Sequence, residues 1–492
     1  MKIIAASYKE AVGENAVFIT AFQDAALARD ALVLSLSART REILLSFARR
    51  EFRAEEGEVK TLWLKNRKPE RIVFFGLGDK KKWHERKTPL VARRMVRFAK
   101  SQKIMAFGAS LTGDAGQFAE NALMADFEYN VYKETPKEGW PEVKKITLAT
   151  ADQNRAAATR AIAEGIIVGE EVNATRTLAN TPGSDMTPAR LAEAARATAK
   201  KTGIRVKILD EKEITRLGMG GVLGVSRGSP EKPKFIILEY LKGAKNQKPL
   251  VLTGKGVTFD TGGINLKPGQ YMYEMHMDMS GGAAVIHGIA AVARLNLPIN
   301  IVGLIPAVEN MPSGSSYRPG DLLKSLSGKT IEVLDTDAEG RVILADALTY
   351  GLRYKPDIMI DLATLTGAAH VALGNYCSAI FSNDEKLQNH LIEIGKKSGD
   401  YLWPLPLWDE FLTDIKGTFG DIANIGNKDR YGGASHGAKF LEQFAGNTRF
   451  AHLDIAPRMT ANDSEYLAKG AAGTGVRLIA ELAKQYPLML NP

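Results

Sequence analysis

A chain of 492 residues is too long for one ordinary hydrophobic core, so two domains are expected. With 45% hydrophobic and 25% charged residues the composition is globular, and neither a bilayer-spanning apolar run nor a signal-peptide pattern after Lys2 is found, which argues against a membrane role. The single Cys377 excludes an intrachain disulfide framework, suits a reducing cytoplasm, and reads as a small core residue and not a nucleophile.

In chain order, residues 16–20, 31–36, 71–77 and 103–107 read as strands, with helices over 38–48 and 89–100. That alternation predicts a smaller α/β domain over residues 1–150. A turn-rich segment at 134–141 precedes a strand at 145–150 and a long alanine-rich helix over 152–177, so residues 151–172 are expected to link the first domain to a second at 173–492. Gly76-Leu77-Gly78 lacks a third spaced glycine and is a poor nucleotide fingerprint. The net charge of +9 is uneven: residues 1–150 hold 27 Lys and Arg against 19 Asp and Glu, and residues 60–100 alone hold 14 against 3. Such a patch could track phosphates, form a solvated face or help fix subunit contacts.

Beyond the boundary, strands are predicted at 205–209, 235–240, 249–252, 300–305, 330–334, 357–361 and 452–455, and helices at 281–295, 341–354, 434–445 and 473–485. The order implies a mostly parallel sheet flanked by helices, an α/β class. Two charged clusters punctuate it. The first is Lys255-Gly256-Val257-Thr258-Phe259-Asp260-Thr261-Gly262-Gly263, followed by Lys267 and by Asp278 in Met275-His276-Met277-Asp278; its glycines allow backbone to approach a bound group. The second, Asp335-Thr336-Asp337-Ala338-Glu339-Gly340-Arg341, packs three carboxylates between a strand and a helix. One such segment could be only a helix start with acidic first-turn residues. Together the clusters offer Asp260, Asp278, Asp337 and Glu339 with Lys255 beside them, and four carboxylates suit two dications such as Mg²⁺, Mn²⁺ or Zn²⁺ better than one.

Four blocks, GKGVTFDTGGINLKP, MDMSGGAAV, DTDAEGRVILADAL and DLATLTGA, in this order, resemble the leucyl aminopeptidase family of dinuclear-metal cytosolic aminopeptidases. The likeness runs from about Asn173 to the C-terminus. It implies that Asp260 and Glu339 bridge two metals, Mn²⁺ or Zn²⁺, with Lys255 and Asp278 completing one site and Asp337 the other. Lys255 would ligate as the neutral amine. Lys267 would stay charged and stabilise the oxyanion, and Arg341 would hold a bicarbonate acting as general base toward the activated water. Without the family, Lys267 reads as a solvated lysine and Arg341 as a partner of Asp337 or Glu339. Met275, Thr364, Leu365 and Gly367 match positions lining the substrate site, although they could equally be core. The resemblance also implies a homohexamer acting on peptides in the cytoplasm, and some bacterial members bind DNA.

Three positions depart from the family pattern: Asp335 where Asn is usual, His276 where Lys or Arg is usual, and Pro457 where Gly is usual. None is a ligand or catalytic position, so side-chain preference is what they put in question. Two rival readings remain: a DNA-binding or regulatory protein that keeps the hydrolase fold, and a different two-metal amidase acting on dipeptides or γ-linked thiols.

Overall fold

The computed structural model describes residues 1–426 and 431–489, so the last three residues of the expected 173–492 domain lie outside it. Two compact units are present, one of Met1–Glu170 with Asn462–Ala468 and one of the rest of the chain.

The smaller unit is built on β1 (Lys2–Ala6), β2 (Ala16–Ala21), β3 (Val59–Trp63), β4 (Arg71–Gly76), β5 (Ala106–Ser110) and β6 (Lys145–Ala149). They lie in the order β1-β6-β5-β2-β4-β3, parallel except where β3 meets β4. The central strand β2 is apolar on both faces, as a strand covered on both sides must be. Val17 and Ile19 enter one core cluster, while Phe18 enters the other and stacks on Phe107 with centroids 4.2 Å apart.

Two local expectations fail here, each for a capping reason. Residues 31–36 were expected to extend, but Ala31–Leu34 is a helical turn, because the Asp30 side chain accepts the backbone N–H groups of Leu32 and Val33. Residues 103–107 were also expected as a strand. The preceding helix instead ends through Lys103 at φ +51° and an Ile104 N–H bond to the Ala99 carbonyl, which delays the strand to Ala106.

The larger unit contributes β7 (Arg205–Leu209), β8 (Lys234–Leu241), β9 (Leu250–Gly254), β10 (Gly256–Asp260), β11 (Asn300–Asn310), β12 (Leu322–Lys324), β13 (Thr330–Glu332), β14 (Ile358–Ala363), β15 (Ser378–Ser382), β16 (Leu402–Pro404), β17 (Ile422–Ala423) and β18 (Arg449–Asp454). Nine of them form one sheet, β16-β15-β18-β14-β9-β11-β8-β7, with β10 paired to β11. Its centre, β18-β14-β9-β11, is parallel and its flanks include antiparallel strands. The helix Ser280–Arg294, buried along nearly its whole length, packs on that centre.

The segment 330–334, expected as another sheet strand, is shorter and sits elsewhere. β13 has three residues and belongs to a separate small sheet, β12-β13-β17. The N–H groups of Leu334 and Asp335 turn to the side chain of Asn424, not to a neighbouring strand, so the ladder stops. Cys377, expected in the core, is half-buried. Among the described residues no helix is long and apolar enough to cross a membrane.

Candidate metal centre

The parallel strands deliver chemistry to one edge. Lys255 follows β9, Asp260 ends β10, Asn310 ends β11, Thr364 follows β14 and Asp454 ends β18. In an open α/β sheet this carboxyl edge is where ligands bind. Two further segments close on it: the turn Met275–Met277 with Asp278, and the turn after β13 that runs through Asp335 and Asp337 into the helix Glu339–Gly351.

Lys255 Nζ stands 2.8 Å from Asp278 Oδ2 and 2.7 Å from Glu339 Oε1, and donates to the Thr364 carbonyl at 2.9 Å. Lys267 Nζ lies 2.8 Å from Asp260 Oδ2 and also pairs with Asp337 Oδ1. Asp260, Asp337 and Glu339 each present an oxygen within 4.8 Å of the others. All five expected ligands and Lys267 therefore converge. Glycine makes the convergence possible: a Cβ on Gly340 would meet Lys255 Cε at 2.6 Å, and Gly262 combines φ +85° with a Cβ position 2.9 Å from Asp337 Oδ1.

Charge dominates the energetics. Burial works against the ammonium of Lys255, yet Asp278, Glu339 and Asp260 outweigh it and hold its pKa above the ordinary lysine value. Lys267 is likewise raised against burial, by Asp260, Glu339 and Asp337. Burial and the like charges of Glu339 and Asp260 push Asp278 well up; burial and Asp260 raise Glu339 and bring Asp337 to about 7. Four carboxylates thus face two ammonium groups, and the raised pKas of Asp278, Asp337 and Glu339 express that imbalance. Asp278 Oδ2, Asp337 Oδ1 and Glu339 Oε1 face lysines at ion-pair distance but accept no oriented hydrogen bond among the described residues. Crowded, electron-rich and under-satisfied oxygens fit hard or borderline dications.

Arg341 is buried two residues beyond Glu339. Its Nη1 donates to the Asn424 carbonyl at 2.8 Å, while its Nε has no hydrogen-bond partner among the described residues. Burial lowers its pKa to about 10, against the carboxylates of Glu339, Asp454 and Asp335, so it remains charged at neutral pH.

The four expected substrate positions separate. Thr364 is buried and donates from Oγ1 to Asp278 Oδ1 at 2.7 Å, so it supports an expected ligand and not the substrate directly. Leu365 is half-buried, its N–H bonded to Asp454 Oδ1 at 3.1 Å. Met275 is half-buried at the start of its turn, and Gly367 is exposed at the head of the helix Gly367–Leu373.

Sequence reasoning missed the residues that hold these groups in place. Asn310 donates to Asp260 Oδ1 at 2.8 Å and to the Thr336 carbonyl at 2.9 Å, and the Tyr317 hydroxyl reaches that same carbonyl at 2.7 Å. Asp454 accepts from Leu365 N and from Thr366 Oγ1. A polar residue closing a long apolar run, as Asn310 closes β11, is the one local signal that could have pointed to them.

Each departure has a structural reading. Asp335 Oδ1 accepts the Asp337 N–H at 2.8 Å, a bond that an asparagine oxygen could equally make, so the substitution adds charge without changing the turn. His276 is half-buried, and burial keeps its pKa below the ordinary value, against the Tyr273 backbone bond and Glu274. Pro457 is the second residue of a short 3₁₀ turn, Ala456–Arg458, where its fixed φ suits the backbone.

The sequence profile of the cytosol aminopeptidase family, catalytic domain, matches residues 173–480, and that of the same family's N-terminal domain matches residues 16–136. The chain belongs to the cytosol aminopeptidase family. It is 40% identical over 444 residues to a probable cytosol aminopeptidase of Geobacter sp. (strain M21), with 89% of this chain and 90% of that protein covered. To the probable cytosol aminopeptidase of Chlorobaculum parvum (strain DSM 263 / NCIMB 8327) it is 39% identical over 503 residues, covering 95% and 99%. The solved structure of the bottromycin maturation enzyme BotP in complex with Mn superimposes with a TM-score of 0.82 at 30% identity, over 96% of this chain and 99% of that one. As a cytosol aminopeptidase the protein is a hydrolase and a metalloexopeptidase acting on peptides, and the acidic cluster of Asp260, Asp337 and Glu339 is where this chain could hold metal.

Proposed function

We propose that this aminopeptidase releases the N-terminal residue, leucine among others, from peptides in the cytoplasm, with Asp260 and Glu339 shared between two divalent ions. Lys255 and Asp278 complete one position and Asp337 the other. The observation that carries this reading is the set of buried carboxylate oxygens that two lysines leave under-neutralised. Mn²⁺ or Zn²⁺ suits these donors, and the Mn in the BotP structure favours the former. When bound, such ions lower the pKa of a shared water and polarise the scissile carbonyl.

The chain's own residues do the rest. Lys267, held charged by its carboxylate neighbours, donates to the oxyanion that develops on the substrate carbonyl. Lys255 could help hold an ion only as the neutral amine, so the proton that Asp278 and Glu339 keep on it would pass to solvent as the ion takes its place. Arg341, whose Nε has no partner among the described residues, would hold a bicarbonate, and a general base there would serve the attacking water. Met275, Leu365 and the backbone up to Gly367 orient the peptide. Removing metal with a chelator is expected to reduce leucine release from leucine amide to background, and Mn²⁺ or Zn²⁺ to restore it. Undiminished turnover in the stripped protein contradicts the reading.

Assembly as a homohexamer belongs to the same proposal, readable as solution mass. The exposed Tyr376, Trp403 and Trp408 of the larger unit offer apolar surface for it. A second binding role is favoured by the β3–β4 hairpin. Its tip carries Lys65, Arg67 and Lys68 beside exposed Trp63, over which Arg71 stacks at 4.4 Å. Not every basic residue nearby is available, since Arg93 and Lys100 are buried and internally bonded. Duplex DNA is the proposed partner of the hairpin. Its binding should weaken as salt rises and on Lys65→Glu with Lys68→Glu; no binding at low ionic strength removes it.

A further inference from the structure

Asn424 is fully buried directly after β17, and every hydrogen-bonding capacity of its amide meets the turn that carries the ligands. Its Oδ1 accepts the N–H groups of Leu334 at 2.8 Å and Asp335 at 3.3 Å. Its Nδ2 donates to the carbonyls of Asp335 at 2.6 Å and Ala338 at 3.4 Å. The same residue's carbonyl accepts Arg341 Nη1 at 2.8 Å, and its N–H is spent on the Glu332 carbonyl at 2.9 Å. One residue therefore grips the Asp335–Ala338 turn with its side chain and the guanidinium with its main chain.

Its own position is fixed from the other side. β17 lies parallel to β13, with Glu332 paired to Ala423, and Glu332 Oε2 accepts the N–H groups of Thr418 at 2.6 Å, Phe419 at 2.8 Å and Gly420 at 3.2 Å. The loop that presents Asn424 is thus tied at both ends to the strand that presents the ligands. A displacement of the turn must carry Arg341 with it.

We propose that Asn424 is a positioning residue that keeps Arg341 in register with Asp337 and Glu339, so that the anion-holding guanidinium and the metal ligands hold one geometry. The proposal rests on the roles given to those residues under the proposed function. A residue that only stabilises the fold would change melting temperature and leave the kinetics of the folded enzyme alone.

The test uses the full chain with Asn424→Ala, Asn424→Asp, Arg341→Ala and the double variant Asn424→Ala/Arg341→Ala. The aspartate keeps the acceptor oxygens but loses both donors to Asp335 and Ala338. Mn²⁺ affinity is measured by calorimetry on the stripped proteins, and kcat and KM for leucine amide at saturating Mn²⁺. Each single Asn424 variant is expected to lose about 10-fold or more in Mn²⁺ affinity and in kcat, with KM changed less than about 3-fold. The double variant should turn over within about 3-fold of Arg341→Ala, because the two residues act as one unit. Wild-type Mn²⁺ affinity and kcat in a folded Asn424 variant, or fully multiplicative losses in the double variant, would overturn the proposal. Failure of both Asn424 variants to fold with Mn²⁺ present also counts against it, since Asn424 would then be a folding residue. Absence of metal-dependent turnover in the wild type would refute the proposed function separately, while the Mn²⁺ affinities still decide the role of Asn424.

Discussion

Glu339→Gln is expected to lower kcat/KM for leucine amide by about 10³-fold or more and to weaken Mn²⁺ binding, while the metal-free protein melts within about 4 °C of the wild type. The two halves of this expectation have one cause. Glu339 is the buried first residue of its helix, 2.7 Å from the Lys255 ammonium and close enough to Asp260 to have its pKa raised by burial and by that like charge. Glutamine has the same shape but no charge. Without metal, relief of the repulsion with Asp260 offsets the lost pairing with Lys255, so stability moves little. With metal, the carboxylate that the proposed function shares between two ions is gone, and the neutral amide binds dications poorly. Calorimetry with Mn²⁺, scanning calorimetry of the stripped protein and steady-state kinetics separate the two effects. Near-wild-type turnover after metal return would remove Glu339 from the centre.

For Arg341→Ala a fall in kcat of about 10²- to 10³-fold is expected, with KM for leucine amide nearly unchanged and any stimulation by bicarbonate abolished. The guanidinium is buried, still charged with its pKa near 10, and anchored through Nη1 to Asn424, with no partner for Nε among the described residues. It also runs close to helix Gly433–Glu442, where a Cβ on Gly437 would meet Nη2 at 3.1 Å, so little space exists for another placement. Arg341→Lys keeps the charge but not the planar fork, and should recover only a small part of the loss. Rates insensitive both to the substitution and to bicarbonate would leave Arg341 as a structural ion.

The strand pattern near the centre was readable because β9, β11 and β14 are largely apolar runs, as strands covered on both faces require, whereas β18, Arg-Phe-Ala-His-Leu-Asp, is interrupted by polar residues and was expected only from residue 452. The capping turn at Asp30 and the left-handed Lys103 were not, because each depends on one or two local hydrogen bonds that compete with a β-prone composition. The segment 330–334 misled for a different reason. An apolar run says that a strand will be buried but not which sheet it joins, and β13 joins the small one.

The sequence by itself singled out Asp260, Asp278, Asp337 and Glu339 with Lys255 beside them as a candidate cation site, because like charges so close in the chain imply a cation, whereas Lys267 and Arg341 stood out only through the family resemblance. Their mutual geometry was decided only in three dimensions. Asn310 reaches Asp260 across 50 residues and Asn424 reaches Asp335 across 89, both through single amide groups with no sequence periodicity. Charge density is a local property of a chain and can be read from it. The hydrogen bonds that aim those charges join residues far apart, and which donor meets which acceptor is settled by how the sheets pack.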